Sequence, residues 1–205
     1  MSNSYNVLQC AQEVSMLPHI LQRVKDLGHR VFEGDNFDLN IIGERCQLHT
    51  NAFDDVLHVV YKVSGLWQHE QFKCTTDPGF YYLQNPSRVK GTAILMPGQY
   101  KSSHTIGLHK GKYTALVQRA PVKVYRDPTR DNRHDLDAAT VEEGFFGINI
   151  HKAGTDSTRV DLWSAGCTVI ANAAHYERFI NLCDAQVAVN GWREFTYTLI
   201  VRDHV

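Results

Sequence analysis

The sequence lacks several features that would assign it to a familiar class of protein. None of its apolar runs approaches 18 residues, which excludes a membrane-spanning helix. Positive and negative charges are nearly equal in number, with 21 Lys and Arg residues and 22 Asp and Glu residues. A net charge of −1 gives no bulk attraction to nucleic acid or to anionic membranes. No internal repeat or low-complexity tract is present, and the 205 residues suit one globular domain.

The cysteines do not form a recognisable framework. The number of cysteines is odd, and they are widely spaced without a CxxC pair: Cys10, Cys46, Cys74, Cys167 and Cys183. This pattern argues against a disulfide scaffold or a structural zinc site. The first residues lack the basic start and apolar segment of a secretory signal. We therefore expect synthesis in a reducing cytoplasm, with a thiol free for chemistry and the other cysteines acting as inert small hydrophobes.

Hydrophobic periodicity predicts a mainly β, α+β fold. A helical pattern over residues 6–27 is interrupted by Pro18 and stopped by Gly28, and a second helix is expected at 173–184. Runs rich in Val, Ile, Tyr, Phe and Thr, separated by turn residues, predict strands at 56–63, 67–75, 80–83, 113–118, 122–125, 145–150 and 194–201. The expected architecture is a helical N-terminal segment at 1–35 and a β-sandwich or barrel core with a few helices at 36–205.

One stretch combines residues suited to nucleophilic catalysis. A short apolar run ends at His151, a polar loop follows, and a turn of small residues presents Cys167 before a second apolar run. A thiol needs a base or cation nearby to react at neutral pH. Gly166 allows a tight turn in which backbone N–H groups face a developing oxyanion. The alternative is a buried structural thiol beside an unrelated histidine.

The same stretch resembles the active-site signature of the L,D-transpeptidase catalytic domain, a His followed at a distance by Ser-His-Gly-Cys. His151 matches the first His, and Ser164, Gly166 and Cys167 match three of the four motif residues. Ala165 replaces the motif His, and the resulting Ser-Ala-Gly-Cys form is similar to sequences carried by bacteriophages and some bacteria. Segments 59–65 and 75–79 resemble the hairpin and turn that open the family domain, so the resemblance covers about residues 52–172.

The resemblance implies an L,D-transpeptidase-like fold at 36–205 and acyl transfer on peptidoglycan stem peptides without a cofactor or metal. Cys167 would attack the carbonyl of a diamino acid bonded to a D-amino acid, and His151 would protonate the leaving amine. Ser164 would hold the imidazole or the turn, with backbone N–H groups of residues 165–167 as the oxyanion hole. Candidate substrate contacts are Trp163, His109, Lys110 and Asn149.

The expected activity is an L,D-carboxypeptidase or endopeptidase, of the kind that serves as a phage lysis enzyme (endolysin). Such an enzyme is made in the host cytoplasm without a signal peptide and degrades the cell wall. Peptidoglycan is the expected partner, with no nucleic acid and no membrane insertion. A transpeptidase that passes the same acyl group to an amine is the first alternative.

The sequence leaves two other hypotheses about function open. A metal-dependent wall hydrolase would use His104, His109 or His134, although no tight ligand spacing such as HExxH supports it. A virion component that kept the fold without activity would need none of these residues.

Overall fold

The computed structural model describes residues 16–203, so Cys10 and residues 6–15 of the predicted helical pattern lie outside the described part. The helices are α1 (His19–Asp26), α2 (Phe80–Gln84) and α3 (Ala173–Asn190), with a 3-10 helix at Ala138–Thr140. The strands are β1 (Asn40–Arg45), β2 (Asp55–Val63), β3 (Leu66–Thr75), β4 (Thr92–Leu95), β5 (Gly98–His109), β6 (Tyr113–Gln118), β7 (Val122–Asp127), β8 (Glu142–Gly144), β9 (Ile150–Lys152), β10 (Thr168–Ile170) and β11 (Glu194–Val201).

Eight strands close into a barrel in the order β1-β11-β5-β6-β9-β10-β3-β2. The barrel is mostly antiparallel, but β1 pairs with β11 and β9 pairs with β10 in parallel. A separate three-stranded sheet has the order β4-β7-β8. The mainly β, α+β class is therefore confirmed, and the core is a closed barrel.

Apolar side chains fill the barrel and one patch on its outside. The interior cluster includes Leu57, Leu116 and Ile150, and α3 adds Phe179 and Leu182 to it. Alternation along the strands turns every second side chain outward. The outward residues Ile42, Val60 and Ile200 form a second cluster with Ile20, Leu21 and Val24 of α1, so that this helix lies against the barrel wall. No helix among residues 16–203 combines the length and apolar character that a bilayer crossing requires.

Several sequence predictions are confirmed, often to within a residue. The hairpin of β2 and β3 turns at Ser64 and Gly65, which have φ of 50° and 78°. Strands β6 and β11 lie where they were predicted, and α3 begins at Ala173 but runs to Asn190 rather than stopping at 184. Helix α1 begins directly after Pro18, and Gly28, with φ of 77°, follows its end.

Two predicted strands are wrong. Residues 80–83 form the helix α2, because Gly79 O accepts the N–H groups of Tyr82 and Leu83 (both 3.1 Å) and only Leu83 of that run is fully buried. In the predicted strand 145–150, only the last residue belongs to β9. Before Ile150, side-chain hydrogen bonds take the place of backbone hydrogen bonds to a neighbouring strand. Strands β1, β4, β5, β8 and β10 were not predicted.

A buried arginine ties β1 to the segment that follows β3. Arg45 is 1% exposed, and its guanidinium donates to Thr76 Oγ1 (2.9 Å), Thr76 O (3.0 Å) and Leu95 O (2.9 Å). It also forms an ion pair with Asp77, with Nε 2.8 Å from Oδ1. Because a buried carboxylate without its cation is costly, this arginine fixes the segment after β3, in which the Gly79 N–H donates to Ser164 O (2.9 Å).

We predict that Arg45→Met lowers the free energy of unfolding by about 3–5 kcal/mol, because it leaves Asp77 buried without its partner. Urea unfolding measures the loss. Arg159→Met is the matched control, since Arg159 is 67% exposed and its contact with Asp161 is 3.4 Å long. That variant is expected to stay within about 0.5 kcal/mol of the parent. Equal effects of the two substitutions would contradict this account.

Candidate active site

The pairing of β9 with β10 determines where Cys167 and His151 lie. Thr168 is opposite Ile150, and Val169 is opposite His151, in parallel register. Ile150 points into the barrel interior, so alternation turns His151 outward. Val169 and Cys167 share an outer cluster, which puts the thiol on the same outward face, two residue pairs along the register from the imidazole.

Gln118 organises the chain before β9. Its Oε1 accepts the N–H groups of Phe146 (3.1 Å) and Ile148 (3.0 Å), and its Nε2 donates to Gly144 O (2.9 Å). Its own backbone N–H donates to Asn149 Oδ1 (2.9 Å). The Gln118 side chain thus supplies residues 146–148 with hydrogen bonds that a neighbouring strand would otherwise provide. Sequence reasoning missed this residue, because a glutamine at the end of an apolar run has no distinctive signal.

The Cys167 thiol is buried and hydrogen-bonded to the segment that Gln118 holds. Its Sγ donates to Gly147 O at 3.2 Å and accepts the N–H of Asn149 at 3.4 Å. Phe53 and Val160 pack in the same apolar cluster. Burial raises the pKa of the Cys167 thiol above its usual range, against the opposing effects of the Asn149 N–H and the nearby Lys110 charge. The resting sulfur is therefore a protonated thiol.

His151 is neutral, and its tautomer is defined by its contacts. Its Nδ1 lies 2.9 Å from Lys152 O, which accepts the Nδ1 proton, and 3.3 Å from the Tyr113 hydroxyl. Nε2 then carries the lone pair. The ring stacks on His109 with centroids 4.0 Å apart. Burial, reinforced by His109, lowers the pKa of His151 to about 3.

The structure brings thiol and imidazole to one face without joining them. Among residues 16–203, the hydrogen-bond partners of Cys167 Sγ are Gly147 and Asn149, and His151 is not one of them. His151 Nε2 has no hydrogen-bond partner in this part of the chain. His58 Nε2 and Asp77 Oδ1 are the fully buried side-chain polar atoms of these residues that lack a hydrogen bond. His151 Nε2 is not among them, so it keeps some contact with solvent although His151 as a whole is 4% exposed.

The turn before Cys167 is held by Ser164. Its buried hydroxyl donates to Cys167 O (2.8 Å) and accepts the Gly166 N–H (3.1 Å), so it fixes the turn and not the imidazole. The same bond takes the Gly166 N–H away from an oxyanion role. Within residues 16–203, the N–H groups of Ala165 and Cys167 have no acceptor, and these two remain as candidate oxyanion donors.

The predicted substrate-contact residues separate into two groups. His109 is buried, with Nδ1 3.1 Å from Asn149 Nδ2, so both residues build the wall around His151. Lys110 is exposed in the β5–β6 turn, and Trp163 is 44% exposed beside Gly154. Tyr113 was missed as a site residue, although its place opposite His109 in the hairpin puts its hydroxyl beside His151.

The histidines of the metal-site hypothesis have other partners. His104 is buried between Ser103 Oγ (2.8 Å) and Ile148 O (2.9 Å). His134 lies 3.3 Å from Pro78 O. In the part of the chain that the structure describes, no three His, Cys, Asp or Glu side chains form a group suited to a metal ion.

We predict that Gly166→Ala destabilises the protein far more than Gly111→Ala. Gly166 has φ of 118°, and a Cβ there would lie 2.2 Å from Ala93 O, so strain adds to a backbone clash. Gly111 has φ of 69° with open space around it, so its substitution carries only the conformational cost of about 1–2 kcal/mol. Thermal unfolding of both variants compares the two costs. Similar melting temperatures would show that the close approach to Ala93 does not constrain the turn.

We also predict that iodoacetamide alkylates Cys167 slowly at neutral pH. Only the thiolate reacts, and a raised thiol pKa means that the rate constant rises about tenfold per pH unit from pH 6 to 9 without levelling off. Peptide mapping by mass spectrometry assigns the modified residue, and Cys167→Ala supplies the background from other thiols. A plateau between pH 5 and 8 would instead reveal a stable thiolate in the free protein.

Comparison of the chain with protein-family models, with curated proteins and with solved structures gave no match. The resemblance to the L,D-transpeptidase catalytic domain therefore stays a prediction from the motif residues. The site itself has a thiol and a neutral imidazole on one outer face of the barrel, and the turn that carries the thiol has two amide N–H groups without an acceptor among residues 16–203.

Proposed function

We propose that the protein is a cysteine-dependent peptidase of peptidoglycan stem peptides, built on an L,D-transpeptidase-like fold. The observation that carries this proposal is the arrangement on the outer barrel face, where Cys167 and His151 share one side of two adjacent strands. His151 Nε2 is free to accept a proton, and the N–H groups of Ala165 and Cys167 are free to bind an oxyanion. The resemblance of His151, Ser164, Gly166 and Cys167 to the family signature supports the choice of substrate.

The first half-reaction starts from a neutral pair. When a substrate carbonyl enters, the thiol leaves Gly147 O and its proton passes to His151 Nε2, while the sulfur forms a bond to the carbonyl carbon. The carbonyl oxygen becomes an oxyanion that accepts the free N–H groups of Ala165 and Cys167. Collapse of this intermediate breaks the C–N bond, and His151 returns its proton to the leaving amine. A thioester on Cys167 remains.

The second half-reaction consumes water. His151, neutral again, accepts a proton from water as its oxygen attacks the thioester carbonyl, and the thiol is restored when the proton returns to sulfur. The Nδ1–H bond to Lys152 O keeps the imidazole in the tautomer that both steps need. The two free N–H groups supply an interaction whose loss typically costs about 2.7–4 kcal/mol of transition-state stabilisation per donor.

We predict that Cys167→Ala abolishes the release of a D-amino acid or peptide from purified peptidoglycan that contains a diamino acid. His151→Gln is expected to lower kcat by about 10²–10⁴-fold, because it removes the general base. Cys46→Ala is the matched control, a buried free thiol outside the site whose loss leaves turnover unchanged. Mass spectrometry of the soluble products measures all three variants.

The assay also separates the competing functions. A product extended by an added amine would assign the acyl group to transfer rather than hydrolysis. Activity that survives Cys167→Ala but is lost with a chelator would replace the proposal with metal chemistry. A parent protein that yields no product would contradict the proposal.

A further inference from the structure

A small cleft adjoins the turn that carries the nucleophile. It has a volume of about 200 Å³, and Arg88, Arg126, Phe145, Tyr82 and Ala165 contribute to its lining. Ala165 is exposed at its wall, directly before the Gly166–Cys167 step. A group bound in this cleft therefore lies next to the candidate oxyanion donors.

The cleft is cationic. Its lining contains two arginines and no carboxylate. Arg88 is exposed and forms no ion pair with any residue of 16–203. Arg126 is buried, donates through Nε to Glu142 (2.9 Å) and through Nη1 to Gly91 O (3.3 Å), and lies 4.7 Å from the centroid of the Phe146 ring. Its Nη2 has no partner in the described chain.

A second, larger cavity of about 560 Å³ shows the contrast. It is also lined by two arginines, Arg30 and Arg193, but Asp38 and Glu194 share its wall. The charges that line this cavity balance, whereas in the small cleft Arg126 is paired with Glu142 and Arg88 is left without a carboxylate partner among residues 16–203. A cleft with two guanidinium groups, an apolar Phe145 wall and space for about one amino-acid residue suits a carboxylate on a short aliphatic body.

We propose that this cleft binds a carboxylate of the acyl-donor peptide beside the scissile bond, with Arg88 as a specificity-determining residue. The inference rests on the proposed function and deepens it. Two carboxylates of a stem peptide have this chemistry: the terminal carboxylate of the leaving D-amino acid and the side-chain carboxylate of the diamino acid. Recognition of the first would make the enzyme a carboxypeptidase.

The experiment compares Arg88→Gln with the parent on three tetrapeptides. The first ends in diaminopimelate followed by D-alanine, the second is its C-terminal amide, and the third has lysine in place of diaminopimelate. Loss of a charge-assisted contact is expected to lower kcat/KM about tenfold on the first peptide. If the parent and Arg88→Gln have equal kcat/KM on one of the other two peptides, the carboxylate that this peptide lacks is the one that Arg88 binds. Arg88 is chosen over Arg126, because the latter is buried and its replacement affects folding.

Arg193→Gln is the matched control, an exposed arginine of the larger cavity, and it is expected to match the parent on all three peptides. An Arg88→Gln variant that equals the parent on every peptide, or that loses activity equally on all three, would overturn the inference. Equilibrium binding of the same peptides to Cys167→Ala, with and without Arg88→Gln, gives a readout that needs no turnover. If the parent cleaves no peptide, the proposed function fails, and the binding difference alone decides the carboxylate site.

Discussion

The parallel pairing of two three-residue strands is the constraint on which the site depends. Strands β9 and β10 bury Ile150 and Ile170 in the barrel and thereby turn His151 and Cys167 outward together. A shift of one residue in this register would move one of the two side chains to the other face. The apolar interior thus selects the register, and the register selects which reactive groups share a surface. The same few residues therefore determine both the packing of the barrel and the position of the thiol and the imidazole.

Burial determines the protonation states of Cys167 and His151. It raises the pKa of the thiol and lowers the pKa of the imidazole, so both groups rest in their neutral forms. In this neutral state the sulfur reacts slowly with small electrophiles at neutral pH. The lowered pKa of His151 also makes proton transfer from the thiol unfavourable in the free protein. His109 contributes to this state, because its ring covers one face of His151 and its proximity disfavours a second positive charge.

Sequence patterns predicted the parts of the fold in which alternation and turn chemistry agree. The β2–β3 hairpin, β6, β11 and the start of α3 belong to this group. Prediction failed where side chains replace backbone partners, as Gln118 does for residues 146–148, and where tertiary contacts override β propensity, as at 80–83. Cys167, His151 and Ser164 were selected from a motif, and the structure assigns Ser164 to the turn. Gln118, Tyr113 and the Arg88 cleft come from distant parts of the chain, so no local pattern could have revealed them.

The segment beside the Cys167 thiol is held by side chains rather than by a continuous strand ladder. Gln118 bonds three backbone groups of residues 144–148, His104 Nε2 lies 2.9 Å from Ile148 O, and the Ile148 side chain is buried in the core. The position of Gly147 O, which accepts the hydrogen bond of the Cys167 thiol, therefore depends on one residue of β5 and one of β6. A substitution at His104 or Gln118 can displace this acceptor while every residue of the motif itself stays unchanged.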